Sequence, residues 1–351
     1  MSRFLSERFV ALTAYVPGEQ PADAEFIKLN TNESPYPPAP GVIKAVSEEE
    51  RKKLNLYPNT DGTRLIKKLA DLYGVGTDNV IIGNGSDELL AFAFLAFCDD
   101  SCGAVFPDIT YGFYPVYADL FKVRAVLKPL KEDFTIDPAD YYQSGRTVFL
   151  ANPNAPTGIA LPLADIEAIA ENNRGNIVLV DEAYVDFGAE SAIPLIFKYD
   201  NLLVTHTYSK SRSMAGARMA YAIGQKAVIE DLNKMKYSFN PYNVNRLTQV
   251  AAEAAIDEEQ YYVEKRREII KTREYTSEQL RKLGFSMTES SANFIFTKPP
   301  GVSGRDMYTA LRDRGILVRH WDKPRIADYL RITIGTKEQM DALIDVIKEV
   351  L

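Results

Sequence analysis

Seven short apolar runs recur between about residue 80 and residue 225: NVIIG, GAVFP, VRAVL, TVFLANP, NIVLVDEAY, NLLVTHT and MAYAIG. Most are continuous rather than alternating, the pattern of strands covered on both faces. SDELLAFAFLAFC and PLADIEAIAENN, which read as helices, lie between them. Strands that hide both faces need helices above and below. The expected fold is therefore α/β, with a mostly parallel, mixed central sheet, flanking helices and right-handed connections.

After Asn245 the texture changes. RLTQVAAEAAIDEEQYYVEKRREIIKTREYTSEQLRKL is rich in charge and helix formers and reads as one or two long helices. Then come ANFIFTKPP, GRDMYTALRDRG, ILVRHW, YLRITIG and KEQMDALIDVIKEVL, the pattern of a small α+β unit. The N-terminal segment carries VPGEQP and SPYPPAPG and is expected to lie as an extended arm. The expected division is an arm over 1–35 packing with the small unit, a large unit over 36–245 and a small unit over 246–351.

The bulk properties exclude several classes. A net charge of -7 lacks the overall basic footprint of a nucleic-acid binder, so any anion site must be a local cluster of Arg and Lys. Cys98 and Cys102 are too few for a disulfide framework, and with His206 and His320 as the only histidines a metal site is not expected. No apolar run reaches membrane-spanning length, and the N-terminus does not read as a signal peptide. The expected setting is cytoplasmic.

In open parallel sheets, ligands sit beyond the C-terminal strand ends. Three such ends here are polar. TVFLA runs into Asn152-Pro153-Asn154-Ala155-Pro156-Thr157-Gly158, NIVLV into Asp181-Glu182-Ala183-Tyr184, and NLLVTHT into Tyr208-Ser209-Lys210. Asp181 after an apolar strand has the shape of a Walker-B acid, but the required Gly-Lys dipeptide is missing from the chain. Asp181 caps the next turn, or it pairs with a cation, since a buried carboxylate is costly alone. GNGSDELL follows a strand and opens a helix, so its free amides suit a phosphate; a plain capped helix explains it too. Lys210 alone reads as a solvated lysine. Placed after a buried strand and near Arg212 and Arg218, it could be desolvated and reactive. A phosphate site, an acid for a pyridine nitrogen and a lysine for an aldehyde together suit pyridoxal 5'-phosphate (PLP).

With these segments in order, the chain resembles fold-type-I PLP-dependent aminotransferases, and most closely the histidinol-phosphate aminotransferase family. LTAYVPG, LNTNESPY, LYPN, GNGSDE, NPNAPTG, VDEAY, TYSKSRSMAGARMAYAIG, PYNVN, SANFIF, GILVR and LRITIGT carry the resemblance nearly end to end. It implies that Lys210 holds the cofactor covalently and moves the reacting proton. It implies that Asp181 faces the ring nitrogen, Tyr184 bonds the phenolic oxygen and Tyr111 stacks on the ring. Gly85, Ser86 and Asp87 would supply the phosphate cup, with Thr207, Ser209 and Arg218 completing it. Tyr57 would reach the phosphate across a homodimer interface. Arg331 would grip the anionic group of the substrate, with Arg319 and Tyr15 near its distal end.

One departure stands out. Many members carry Asn directly before Pro-Thr-Gly, bonded to the phenolic oxygen, where this chain has Ala155. Asn154 is expected to take over that role. The implied reaction moves an amino group from L-histidinol phosphate to 2-oxoglutarate. Aromatic-amino-acid transamination and threonine-phosphate decarboxylation remain alternatives, because the same motifs serve them.

Overall fold

The computed structural model describes residues 2–21 and 26–351; residues 1 and 22–25, which belong to the expected arm, lie outside this description. The strands are β1 (Ile27–Lys28), β2 (Val80–Gly83), β3 (Ala104–Pro107), β4 (Ala125–Lys128), β5 (Thr147–Ala151), β6 (Val178–Asp181), β7 (Leu202–Thr207), β8 (Ala220–Gly224), β9 (Ser286–Met287), β10 (Phe294–Lys298), β11 (Ile316–Leu317), β12 (Arg319–His320) and β13 (Leu330–Thr333). The α-helices are α1 (Pro40–Ala45), α2 (Glu48–Arg51), α3 (Thr63–Tyr73), α4 (Ser86–Phe97), α5 (Phe113–Phe121), α6 (Leu163–Glu171), α7 (Lys226–Phe239), α8 (Arg246–Asp257), α9 (Glu259–Lys282), α10 (Gly304–Asp313) and α11 (Lys337–Val350).

All seven apolar runs are strands of one sheet, in the order β2-β8-β7-β6-β5-β3-β4. Only β8 runs against its neighbours; the pairs β7–β6, β6–β5, β5–β3 and β3–β4 are parallel. Every residue of β2, β3, β5, β6, β7 and β8 is buried, which explains why these strands read as continuous apolar runs. One face packs against α4 and α5, where Phe94 stacks on Phe149 with ring centroids 4.1 Å apart. The other face packs against α3, α6 and α8.

A second sheet, β12-β13-β10-β9, is antiparallel, and its core is shared with α9, α10 and α11. The arm joins this side of the molecule: β1 pairs with β11 in parallel, Ile27 opposite Ile316. The charged stretch after Asn245 forms two helices in succession, α8 and α9. Ala251, Ala252 and Ala255 of α8 are buried in the core beneath the large sheet, so that helix packs away from the small sheet. Among the described residues no helix is long and apolar enough to cross a membrane.

Candidate active site

Strand order decides where chemistry can occur. β5, β6 and β7 are adjacent, with Ala151 opposite Asp181 and Asp181 opposite Thr205. Their polar ends therefore open on one side. Gly83 of β2 and Thr207 of β7 both face Ala220 of β8, which brings the β2–α4 turn and Arg218 to that same edge. The result is a cavity of about 440 Å³ lined by Ser86, Asp87, Tyr111, Asp181, Tyr184, Thr207, Ser209, Lys210 and Arg218.

One end of the cavity suits an anion. Ser86 opens α4, whose first amides point out of the helix. The Thr207 hydroxyl lies 3.0 Å from Ser209 Oγ, and Arg218 Nη2 donates to Asp87 Oδ2 at 3.0 Å. Gly85 shapes this end: its φ is +83°, and a Cβ there would come within 2.6 Å of Arg218 Nη2.

The other end suits a cation. Asp181 is 4% exposed. Its hydrogen-bond partners are neutral hydroxyls, Thr205 at 3.2 Å and Tyr114 at 3.4 Å. Burial without a cationic partner pushes its carboxyl up to about 6. Across the cavity, burial pulls the Lys210 ammonium down to about 8, helped by the nearby positive charge of Arg331. Lys210 Nζ donates to the Thr31 carbonyl at 3.3 Å. An anion cup, an under-compensated buried carboxylate and a partly deprotonated lysine fit a phosphorylated, protonated pyridine aldehyde.

A second cavity of about 300 Å³ shares Tyr111, Ala155 and Tyr184 with the first. Tyr15 and Trp321 line it, and Arg331 reaches it from β13. Tyr15 stacks on Phe113 at 4.4 Å. Arg331 Nη2 donates to the Asn30 carbonyl at 2.9 Å, while its buried Nε has no hydrogen-bond partner among the described residues. Burial lowers the Arg331 pKa. A half-buried guanidinium with an unspent, buried donor is suited to grip an anion.

Three expected residues sit elsewhere. Asn154 is outside the cofactor-sized cavity, and its amide is used up: Oδ1 accepts from Thr110 at 2.8 Å, and Nδ2 donates to the Ile109 carbonyl and to Thr157. It is not free to serve in place of the Asn that Ala155 replaces. Asn32 instead meets Tyr184, donating from Nδ2 to the Tyr184 hydroxyl at 2.8 Å. Arg319 turns to the arm, donating to the Pro17 and Val16 carbonyls at 3.1 and 3.0 Å. Tyr57 is 76% exposed and stacks on Tyr242 at 4.3 Å, away from the cavity of its own chain.

A model of the family aminotransferase class I and II matches residues 24–347. The chain belongs to this family. Among curated relatives, histidinol-phosphate aminotransferase from Brachyspira hyodysenteriae is 49% identical, over 100% of this chain and 99% of the relative. The protein of the same name from a Marinomonas species is 50% identical, over 99% of each. The solved histidinol-phosphate aminotransferase from Sinorhizobium meliloti in complex with pyridoxal-5'-phosphate superposes with a TM-score of 0.88 over 100% of both chains. At 24% identity, that likeness speaks for the fold. In this aminotransferase the two joined cavities are therefore where a class I and II active site is to be sought.

Proposed function

We propose that this aminotransferase uses PLP to move the amino group of L-histidinol phosphate to 2-oxoglutarate, giving imidazole acetol phosphate and L-glutamate, a step of histidine biosynthesis. The observation that carries the reading is half-buried Arg331, whose buried Nε has no partner among the described residues, set in an aromatic-lined cavity that joins the cavity of Lys210. Relatives of that name at 49–50% identity over the whole chain support it.

When bound, PLP supplies an aldehyde that takes up the amino group and a ring that draws electrons from the substrate α-carbon. Asp181 holds a proton at the ring nitrogen, a role that relieves its own uncompensated burial. The first-turn amides of Ser86 and Asp87, with the side chains of Thr207, Ser209 and Arg218, would hold the phosphate. Tyr111 walls the ring, and its hydroxyl is tied to Asp87 Oδ1 at 2.6 Å. Tyr184, steadied by Asn32, meets the phenolic oxygen. Lys210, neutral in part near pH 8, would take the proton from the substrate α-carbon and deliver it to the cofactor's aldehyde carbon, on the far side of the transferred nitrogen. Arg331 binds the phosphate of one substrate and a carboxylate of the other, since a planar guanidinium suits both anions.

We further propose a homodimer in which Tyr57 serves the partner's phosphate site. Its exposure, with Leu54 and Leu56 exposed beside it, supports this. A division into arm, large unit and small unit goes with the separate sheets, and the packing of α8 favours a boundary near Glu258. Small, highly charged substrates of this kind do not cross membranes unaided, which favours a cytoplasmic setting.

The test is a donor panel with 2-oxoglutarate: histidinol phosphate, phenylalanine and threonine phosphate. Histidinol phosphate is expected to give the highest kcat/KM. A clear preference for phenylalanine, or carbon dioxide release from threonine phosphate, would replace the named substrate.

A further inference from the structure

The segment between β12 and β13, residues 321–329, crosses from the small sheet to the large one. It carries Trp321, which lines the second cavity with its ring 5.3 Å from the Arg331 guanidinium. Four residues on, Arg325 fastens the segment to the opposite side. Arg325 Nη1 donates to Asp108 Oδ2 at 3.2 Å, and Nη2 donates to the Leu130 and Lys131 carbonyls at 2.8 and 2.7 Å. Asp108 Oδ1 in turn accepts from the Leu130 amide at 2.9 Å, so the carboxylate also holds the turn that presents those carbonyls.

The surroundings concentrate on this linkage. Ile326 is buried with Ile109, Leu130, Phe134 and Phe296, a small cluster drawing from both sheets' sides, and Trp321 packs against it. The Arg325 guanidinium stands 5.6 Å from the Phe134 ring. Both residues have left-handed backbones, φ +70° for Arg325 and +66° for Phe134. Non-glycine residues hold such angles only where their surroundings over-determine them.

We propose that Arg325 is a positioning residue for substrate selection: by gripping Asp108 and the 130–131 turn it holds Trp321 against Arg331, and so sets the shape of the anion end of the substrate cavity. Its planar fork reaches the carboxylate from one nitrogen and both carbonyls from the other, a spacing that the single ammonium of a lysine does not reproduce. Arg325 lines the cavity wall but works through Trp321 and Arg331, so substrate binding, not cofactor binding, depends on it. This rests on the proposed use of Arg331 as the anion grip.

Trp321 is the only tryptophan of the chain, so its fluorescence reports the segment without any substrate present. In the PLP-loaded enzyme, Arg325→Ala is expected to raise acrylamide quenching of Trp321 by roughly twofold, the signature of a loosened segment. It should raise the KM of the preferred amino donor about tenfold, the scale of one charge-assisted hydrogen bond. kcat should stay within about twofold and PLP affinity should not change, because the reacting groups are untouched. Arg325→Lys should fall between wild type and Arg325→Ala in both readouts, and it serves as the milder variant if the alanine form folds poorly. Unchanged quenching, an unchanged KM, or a fall in kcat alone overturns the proposal. A wild type that prefers phenylalanine removes the substrate name and leaves this test intact, since the donor used is whichever one the wild type prefers.

Discussion

At the scale of single residues, Lys210 and Asp181 are costly for the cofactor-free protein, and each cost marks a task. Lys210 is held near 8 rather than its ordinary 10.5 by burial first and Arg331 second. Below about 8 the folded protein therefore bears a charged, buried amine that the unfolded chain would solvate. The penalty is absent above 10.5, grows as pH falls from 10.5 to 8, and is fully present below 8. Lys210→Met should make the PLP-free protein more stable at pH 7 by about 1–3 kcal/mol, with the difference fading toward the ordinary lysine value of 10.5. Denaturant midpoints at several pH values measure this, and a less stable variant at pH 7 would count against a strained lysine. Asp181 and Lys210 each follow a buried strand, in VDEAY and TYSK, which made both readable as candidates, while a capping acid and a solvated lysine stayed open until these segments were set beside GNGSDE. Asn32 escaped notice because its role depends on Tyr184, 152 positions away, and on its own left-handed φ of +55°. Asn154 and Arg319 have contacts that no local pattern reveals: the Thr110 hydroxyl and the arm carbonyls engage their side chains.

At the scale of elements, the turn from β2 into α4 does the most with the least. Gly85 sits at φ +83° with Arg218 packed against the place where a Cβ would be. Gly85→Ala adds strain of about 1–3 kcal/mol and pushes Arg218 from the anion end. Weaker PLP binding by about tenfold is expected, read by titrating the cofactor into the apoprotein; unaltered affinity would remove Gly85 from the phosphate site. Six of the seven strands of the large sheet were readable because burial on both faces leaves a continuous apolar signal, which the half-buried edge strand β4 carries only weakly. The reversed direction of β8 and the pairing of β1 with β11 were not. Strand direction leaves no mark on an all-buried run, and a two-residue pairing between distant segments leaves no periodicity to read.

At the scale of the whole molecule, the site is assembled from both sheets and the arm. Asp181 and Lys210 come from the ends of the central strands β6 and β7 of the large sheet, Arg331 from the small sheet, and Thr31 and Asn32 from the arm. A site spread this widely depends on the parts staying together, and the exposed Leu54, Leu56 and Tyr57 leave a surface for a second copy to cover. The protein is expected to sediment as a dimer, and Tyr57→Ala is expected to weaken PLP retention without altering the monomer's fold. A monomer that retains full activity contradicts the shared site. Everything proposed for the two cavities turns on where the cofactor is held. Borohydride treatment of the PLP-loaded protein, followed by digestion and mass mapping, reads this out. A phosphopyridoxyl group is expected on the peptide containing Lys210 and on no other; an unlabelled Lys210, or a label on another lysine, would contradict its role.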